Sequence, residues 1–135
     1  MAATGERQPI APERFRALFE PRGVLVAGAS THPGKFGFVS LHNILACGYQ
    51  GNVFATNRDG AEVLGVQSVA DVDDLPDGEI DLVFVCTPAA ANPDLLRACA
   101  KKGITAAFIA SADLNPLLVV DGRPVAVDAL VEVRS

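Results

Sequence analysis

Residues 24–30 read Val-Leu-Val-Ala-Gly-Ala-Ser, and this stretch decides the fold. Its first four residues form a continuous apolar run of strand length, which is typical of a strand covered on both faces of a parallel sheet. Gly28 ends the strand, and a residue without a side chain there lets the backbone approach a phosphate closely. We interpret Gly28, Ala29 and Ser30 as a phosphate-binding turn between the first strand and the first long helix. The alternative is that the glycine only shapes a tight turn.

Helical and strand-like segments alternate after this turn. A helix with apolar residues at helical spacing comes first and ends near Gly48. Strands are predicted at residues 53–56, 63–66, 80–86 and 104–109. An acidic helical turn is predicted near residues 69–75, and Asn92 is predicted to cap a helix that ends at Gly103. The alternation predicts an α/β fold, a Rossmann-like parallel sheet of about five strands with flanking helices.

The two ends of the chain differ from this middle part, which comprises residues 12–111. Residues 1–11 are small, polar and aperiodic and predict a mobile leader, and a short helix begins after them at Pro12. Residues 112–135 predict a β-hairpin, because two apolar runs flank the turn pair Asp121-Gly122. The hairpin is not the next element of a Rossmann-like fold.

The composition excludes several classes of protein. A chain of 135 residues, 50% of them hydrophobic, is long enough for one core and therefore one domain. A net charge of −5 argues against nucleic-acid binding, which needs Lys and Arg to neutralise phosphates. No apolar run approaches the roughly 18 residues that span a bilayer, so we expect a cytoplasmic protein without a membrane partner. Three cysteines without a Cys-x-x-Cys pair predict reduced thiols in the core.

The loop after Ser30 carries groups that suit a phosphate. Thr31 adds a second hydroxyl, and Gly34 and Lys35 follow before the helix. The dinucleotide fingerprint G-x-G-x-x-G does not match, and a Walker A loop has one residue fewer before its Gly-Lys pair. Anion binding is favoured over a purely structural turn, because shaping a turn requires neither hydroxyls nor a lysine.

Two further strand ends carry candidate ligand groups. The second strand is followed by Asn57-Arg58, where an NAD site would need an acidic side chain for the ribose 2′-hydroxyl. The arginine favours an extra ribose phosphate, and therefore NADP or coenzyme A over NAD; the alternative is a solvated loop arginine. The fourth strand ends at Thr87-Pro88, which either offers a hydroxyl to a ligand or forms a plain turn.

Short motifs in one order carry a resemblance to a known family. They are Phe15 to Phe19, Pro21-Arg22, Val24 to Ser30, Gly48-Tyr49, Val53, Asn57, Glu62-Val63-Leu64-Gly65, Val69-Ala70-Asp71, Leu75-Pro76, Asp81-Leu82-Val83 and Thr87-Pro88-Ala89. Over about residues 12–111 the chain resembles the N-terminal coenzyme A-binding domain of the nucleoside-diphosphate-forming acyl-CoA synthetases, relatives of succinyl-CoA synthetase.

The resemblance implies a ligand and the residues that bind it. In that family the loop after the first strand holds coenzyme A phosphates, and the ends of the second, fourth and fifth strands complete the site. The matching residues here are Gly28, Ala29, Ser30, Thr31, Gly34, Lys35, Asn57, Arg58, Thr87, Pro88 and Ser111. This chain has Thr56-Asn57-Arg58 where the family usually has Val-Asn-Pro, which leaves the form of that turn open.

The tail is similar to a different module of the same enzymes. Residues 113–117 and 125–129 resemble the closing strands of the ATP-grasp module, in which an Asn and an Asp hold Mg²⁺ against nucleotide phosphates. The matching positions are Asn115 and Asp128, and Mg²⁺ is implied only if the ATP-grasp part is complete. The alternative for these two residues is a hairpin entry turn and an exposed strand carboxylate. A junction near residues 111–113 suggests that a longer synthetase has lost its middle, including the phosphohistidine domain and most of ATP-grasp.

Three functions remain in competition. The leading hypothesis is a coenzyme A-binding module of an NDP-forming acyl-CoA synthetase-like protein, with coenzyme A or acyl-CoA as its ligand. No catalytic residue is predicted, and a complete ligase is not expected in this chain. The alternatives are a fragment of an NADP-binding oxidoreductase and a non-binding structural or partner-docking fragment. The hairpin or an open sheet edge also offers a surface for homo-oligomers.

Overall fold

The computed structural model describes residues 12–109, 117–120 and 123–126. The helices in these ranges are α1 (Pro12–Phe19), α2 (Phe36–Ala46) and α3 (Asn92–Lys101), with 3₁₀ turns at Val72–Asp74 and Ala89–Ala91. The strands are β1 (Gly23–Ala27), β2 (Asn52–Thr56), β3 (Glu62–Val63), β4 (Val66–Gln67), β5 (Leu82–Val85), β6 (Ala106–Ile109), β7 (Leu117–Val120) and β8 (Arg123–Ala126). None of these helices is long and apolar enough to cross a membrane.

The main sheet has the strand order β2-β1-β5-β6-β7-β8. Its first four strands are parallel, and in their register Leu25 of β1 lies between Phe54 of β2 and Val83 of β5. After β1 the chain forms β2 on one side and then returns to form β5 on the other. The predicted Rossmann-like α/β fold is confirmed, and its parallel part has four strands.

The expected strand at residues 63–66 is not part of the main sheet. β3 and β4 instead pair antiparallel as a separate two-stranded ribbon. Between them Leu64 and Gly65 have φ values of 51° and 84°, the left-handed conformation that a two-residue hairpin turn requires. The apolar residues on both sides of this turn look like one strand in the sequence, but the turn reverses the chain.

The main sheet separates two apolar layers. Every residue of β1 is buried, as expected for a strand that is covered on both faces. Val24 and Val26 belong to one layer together with Leu41 of α2. Leu25 belongs to the opposite layer together with Cys99 of α3.

The start of α3 differs from the prediction. Asn92 has helical angles (φ −64°, ψ −41°) and is the first residue of the helix rather than its cap, so the predicted N-cap is wrong. The reason is the 3₁₀ turn Ala89–Ala91, which leads directly into the helix. Pro93 lies in the first turn as expected, and Gly103 (φ 87°) follows the C-cap residue Lys102.

The C-terminal strands form the predicted hairpin. β7 pairs antiparallel with β8 on one side and with β6 on the other. The hairpin therefore extends the edge of the main sheet beyond its parallel part. Self-association through this edge stays a prediction.

The three cysteines are free thiols that differ in exposure. Cys99 is buried, and burial raises the pKa of its thiol to about 12. Cys86 is half-buried, but Cys47 is exposed, so the prediction of a core position is wrong for Cys47. Because Cys47 follows the last residue of α2, it lies off the buried face of that helix, which Leu41 and Ile44 form.

An ion pair joins the amino ends of β1 and β5. The Nε and Nη2 atoms of Arg22 donate to the two carboxylate oxygens of Asp81 at 3.0 and 2.8 Å, and the Arg22 backbone N–H donates to the same carboxylate at 2.8 Å. Nη2 also donates to the carbonyl oxygen of Gly78 at 3.0 Å. The hydrogen bonds from Arg22 hold the pKa of Asp81 below its usual value of 3.8.

We expect Asp81→Asn to lower the melting temperature near neutral pH. Because the folded pKa of Asp81 is lowered, its contribution to stability is present above the usual value of 3.8 and is lost as the pH falls through the folded pKa. The difference in melting temperature between Asp81→Asn and the unsubstituted chain should therefore shrink below about pH 4. Thermal unfolding followed by circular dichroism measures it, with Glu79→Gln, a nearby exposed carboxylate, as the control. A difference that stays constant into acid would contradict the assignment.

Candidate functional site

A cavity of about 310 Å³ lies at the carboxyl ends of β1, β2 and β5. It is lined by Gly28, Thr56, Asn57, Arg58, Ala70, Asp71, Val72, Thr87, Ala91 and Leu95. Gly28 follows β1, Thr56 ends β2, and Thr87 lies two residues beyond β5. The chain reaches β2 and β5 on opposite sides of β1, so the cavity lies at the point where the strand order reverses. Open α/β sheets bind their ligands at this point.

Gly28 has to be a glycine for two reasons. Its φ of 84° is the left-handed conformation, which side chains disfavour. In addition, a Cβ atom at this position would lie 2.9 Å from Cγ2 of Thr87 and 3.0 Å from the carbonyl carbon of Cys86. The exits of β1 and β5 are therefore packed directly against each other.

The backbone of the turn after β1 is bound to β2. The N–H groups of Gly28 and Ala29 donate to the carbonyl oxygen of Thr56 at 3.2 and 2.8 Å, and Gly28 N–H also approaches the Thr56 hydroxyl at 3.2 Å. These two donors are already partnered, so an anion at this turn would have to bind to groups further along the loop. Buried Thr56, which the sequence did not single out, therefore holds the turn in place.

The start of α2 offers such groups. Lys35 is the N-cap residue, and its side chain makes no cap hydrogen bond. The backbone N–H groups of Phe36 and Gly37 have no acceptor among the described residues. The first turn contains no acidic residue, and the helix dipole favours an anion at this end.

The loop between the turn and α2 is exposed from Thr31 to Lys35. The Ser30 hydroxyl oxygen accepts a hydrogen bond from the His32 N–H at 3.0 Å, which leaves the Ser30 O–H free to donate. Ser30, Thr31, Gly34 and Lys35 do not line the cavity itself. They lie between the turn after β1 and the start of α2.

Of the two glycines around Lys35, only Gly37 is sterically required. A Cβ atom at Gly37 would overlap the carbonyl oxygen of Gly28, whereas a Cβ atom at Gly34 would meet nothing within 4 Å. The close approach of α2 to the turn after β1 therefore depends on Gly37. The sequence shows both glycines but gives no sign of which one packs against Gly28.

The turn after β2 presents a cation at the cavity. Arg58 is exposed and forms no ion pair with any residue that the structure describes. Asn57, before it, donates from Nδ2 to the carbonyl oxygen of Ala29 at 2.8 Å. Asp71 lines the same cavity and accepts a hydrogen bond from the Asp73 N–H at 3.2 Å.

Asn92, which the sequence predicts as a helix cap, instead binds Thr87 at the carboxyl end of β5. The Thr87 hydroxyl donates to Oδ1 of buried Asn92 at 2.9 Å, so the predicted helix cap orients a cavity residue instead. Pro88 precedes the 3₁₀ turn and does not line the cavity. Burial raises the pKa of the neighbouring Cys86 thiol, which disfavours the nucleophilic thiolate.

The cavity also has an apolar side, formed by Ala70, Val72, Ala91 and Leu95. It combines this side with the cation of Arg58 and with hydroxyl groups, as ligand sites commonly do. In the described ranges no three His, Cys, Asp or Glu side chains are grouped so that they could hold a metal ion. Ser111, Asn115 and Asp128 lie outside the described residues, so their predicted roles stay predictions.

Comparisons with known proteins identify relatives of the chain. A family model described as CoA binding domain matches residues 22–129. The chain is 33% identical over 107 residues to the alpha subunit of acetate–CoA ligase [ADP-forming] I from Pyrococcus furiosus, which covers 76% of this chain and 23% of that protein. It is 35% identical over 101 residues to acetate–CoA ligase [ADP-forming] II from Archaeoglobus fulgidus, which covers 75% of this chain and 15% of that protein. The chain thus spans less than a quarter of either relative.

Solved structures show the same fold. The dinucleotide forming acetyl-coenzyme A synthetase 1 of Ca. Korarchaeum cryptofilum, in complex with phosphate and ADP, matches with a TM-score of 0.68 at 29% identity, over 74% of this chain and 21% of that one. A hypothetical protein from Pyrococcus horikoshii OT3 matches with a TM-score of 0.60 at 24% identity, over 76% of this chain and 72% of that one. The second likeness shows the fold alone.

We expect Gly37→Ala to destabilise the chain by about 1–3 kcal/mol, because the new methyl group overlaps a backbone oxygen. Gly34→Ala is the matched control and should change the free energy of unfolding by less than about 0.5 kcal/mol. Urea unfolding of both variants measures the difference. Equal effects of the two substitutions would contradict the close packing of α2 on the turn after β1.

Proposed function

Because the chain belongs to the CoA binding domain family, we propose that it binds coenzyme A or acyl-CoA at the carboxyl ends of β1, β2 and β5. The observation that carries this proposal is Arg58, which lines a cavity at the switch point of the sheet and has no ion-pair partner among the described residues. A cation there suits a ligand with a phosphate on its ribose, and the apolar side of the cavity suits an adenine ring.

The diphosphate of the ligand is assigned to the start of α2. The backbone N–H groups of Phe36 and Gly37, which have no acceptor among the described residues, favour an anion there, as do the positive end of the helix dipole and the ammonium group of Lys35. The hydroxyl groups of Ser30 and Thr31 add donors in the same loop. The N–H groups of Gly28 and Ala29 are bound to Thr56, which argues against the close backbone contact of a dinucleotide fingerprint.

The ribose 3′-phosphate of coenzyme A is assigned to Arg58. A guanidinium group recognises phosphate through charge-assisted hydrogen bonds, and Arg58 has no carboxylate partner in the described part of the chain. At about 310 Å³ the cavity is at the small end of the range for ligand sites, about 300–1,000 Å³. We therefore assign the nucleotide end of coenzyme A to the cavity and the pantetheine arm to the surface outside it.

The chain acts as a binding module of an NDP-forming acyl-CoA synthetase-like protein. Two of its relatives are named ADP-forming acetate–CoA ligases, and the chain spans only 15–23% of them. The described residues around the cavity supply donors, a cation, the Asp71 carboxylate and an apolar surface, but no second carboxylate or histidine beside Asp71 and no activated nucleophile. In this proposal the module presents coenzyme A, and other parts of such a protein carry out acyl transfer.

Coenzyme A should raise the melting temperature, and NADP should do so only weakly. A ligand at 100 times its Kd adds about 2.7 kcal/mol to the folded state. Thermal unfolding with increasing concentrations of each ligand measures the effect. NADP is the informative competitor, because it also carries an adenosine and an additional ribose phosphate. Stabilisation by NADP alone would favour the oxidoreductase alternative, and no stabilisation by either ligand would favour a non-binding fragment.

We expect Arg58→Ala to weaken binding of coenzyme A about tenfold and to leave dephospho-coenzyme A nearly unaffected, because only coenzyme A carries the 3′-phosphate. Lys35→Ala should weaken both ligands by a similar factor, since both contain the diphosphate. Isothermal titration calorimetry measures both affinities for the unsubstituted chain and for each variant, with Arg16→Ala, at an exposed position of α1, as the control. An equal loss for both ligands in Arg58→Ala would show that Arg58 does not contact the 3′-phosphate.

A further inference from the structure

Asn57 lines the cavity, and its side chain forms hydrogen bonds with the backbone of two loops, the one after β1 and the one after β2. Nδ2 donates to the carbonyl oxygen of Ala29 at 2.8 Å, and Oδ1 accepts from the backbone N–H groups of Asp59 at 2.9 Å and Ala61 at 3.3 Å. A carbonyl group only accepts and an N–H group only donates, so these partners fix the orientation of the amide. One side chain thus connects the loop after β1 with the loop after β2.

Backbone hydrogen bonds of Asn57 also stabilise the turn that contains Arg58. The carbonyl oxygen of Asn57 accepts from the Gly60 N–H at 2.8 Å, which closes a turn around Arg58, and the Asn57 N–H donates to the carbonyl oxygen of Val69 at 2.9 Å. Gly60 completes the turn at a φ of 66°. The main chain of Arg58 is therefore held on both sides, while its side chain has no ion-pair partner within the described ranges.

We propose that Asn57 is a positioning residue that acts through Arg58 rather than a group that selects the ligand by its own contact. Its Oδ1 contacts hold the turn from which Arg58 reaches a ribose phosphate. Its Nδ2 contact to Ala29 holds the loop that leads to Lys35 in line with that turn. This inference rests on the proposed binding of coenzyme A at this cavity.

Positioning and direct contact have different consequences for two ligands. Coenzyme A and dephospho-coenzyme A differ only in the 3′-phosphate, so a direct contact of Asn57 with their shared part would weaken both by one factor. A residue that positions Arg58 changes the ratio of the two affinities. The ratio is therefore the readout that a merely structural or shared contact does not move.

The experiment compares Asn57→Ala with Asn57→Ser by isothermal titration calorimetry of both ligands. The unsubstituted chain should bind coenzyme A about tenfold more tightly than dephospho-coenzyme A. Asn57→Ala removes all three side-chain bonds, so this ratio should fall toward one. Serine keeps an oxygen that can accept from the N–H two residues on but cannot reach Ala29. Asn57→Ser should therefore weaken both ligands by a similar factor and keep the ratio.

Asn52→Ala is the matched control, because Asn52 is an exposed residue at the opposite end of β2 and should leave both affinities unchanged. In an Arg58→Ala background, Asn57→Ala should change the ratio no further. Thermal unfolding without ligand checks that each variant is folded. If Asn57→Ala does not fold, Asn57→Ser still tests the proposal, because a lost ratio or two unchanged affinities would contradict it.

Two results would overturn the proposal. Asn57→Ala that weakens both ligands equally, with the ratio intact, would identify Asn57 as a direct ligand contact. Asn57→Ser that loses the ratio, or that leaves both affinities unchanged, would separate the Asn57 hydrogen bonds from the function of Arg58. If the unsubstituted chain binds neither ligand, the proposed function itself fails and this inference fails with it.

Discussion

The site depends on the close approach of three backbone segments at Gly28. This residue has a left-handed conformation, its Cα faces the exit of β5, and its carbonyl oxygen lies against Gly37 of α2. Any side chain at Gly28 or Gly37 would separate these segments. Because they are in contact, the start of α2 lies next to the turn after β1, and the exits of β1 and β5 line one cavity where the strand order reverses.

The parallel sheet could be predicted because its two inner strands, β1 and β5, are continuous apolar runs. β1 is buried on both faces and β5 is buried except at half-buried Phe84, and an apolar run of this kind is visible without knowledge of the neighbouring strands. The separate ribbon of β3 and β4 could not be predicted in the same way. Its turn places Leu64 at a positive φ, where a non-glycine residue is uncommon, so the sequence looks like one continuous strand. Asn92 is a residue type that commonly caps helices, but its side-chain oxygen accepts a hydrogen bond from the Thr87 hydroxyl instead.

The chemical types in the candidate site were visible in the sequence, whereas their partners were not. The order of elements in the sequence predicts that Ser30, Lys35 and the carboxyl ends of the strands lie at the same end of the sheet. Arg58 also occupies the position at which an NAD site needs an acidic side chain for the ribose hydroxyl. It does not show that Thr56 binds the N–H of Gly28 or that Asn57 binds Ala29, since each pair is 28 residues apart. The sequence thus indicates which side chains can bind a ligand. The hydrogen bonds between the loops show which residues position those side chains.

We propose that coenzyme A binds at the carboxyl ends of the parallel strands. The most direct test is a titration of ¹⁵N-labelled chain with coenzyme A, followed by the backbone amide signals in two-dimensional NMR spectra. If coenzyme A binds there, the signals of Gly28, Arg58 and Thr87 shift with one common Kd. The signals of Arg22, Gly78 and Glu79, at the amino ends of the strands, do not shift. Shifts confined to the amino ends of the strands, or no shifts at saturating coenzyme A, would contradict binding at this site.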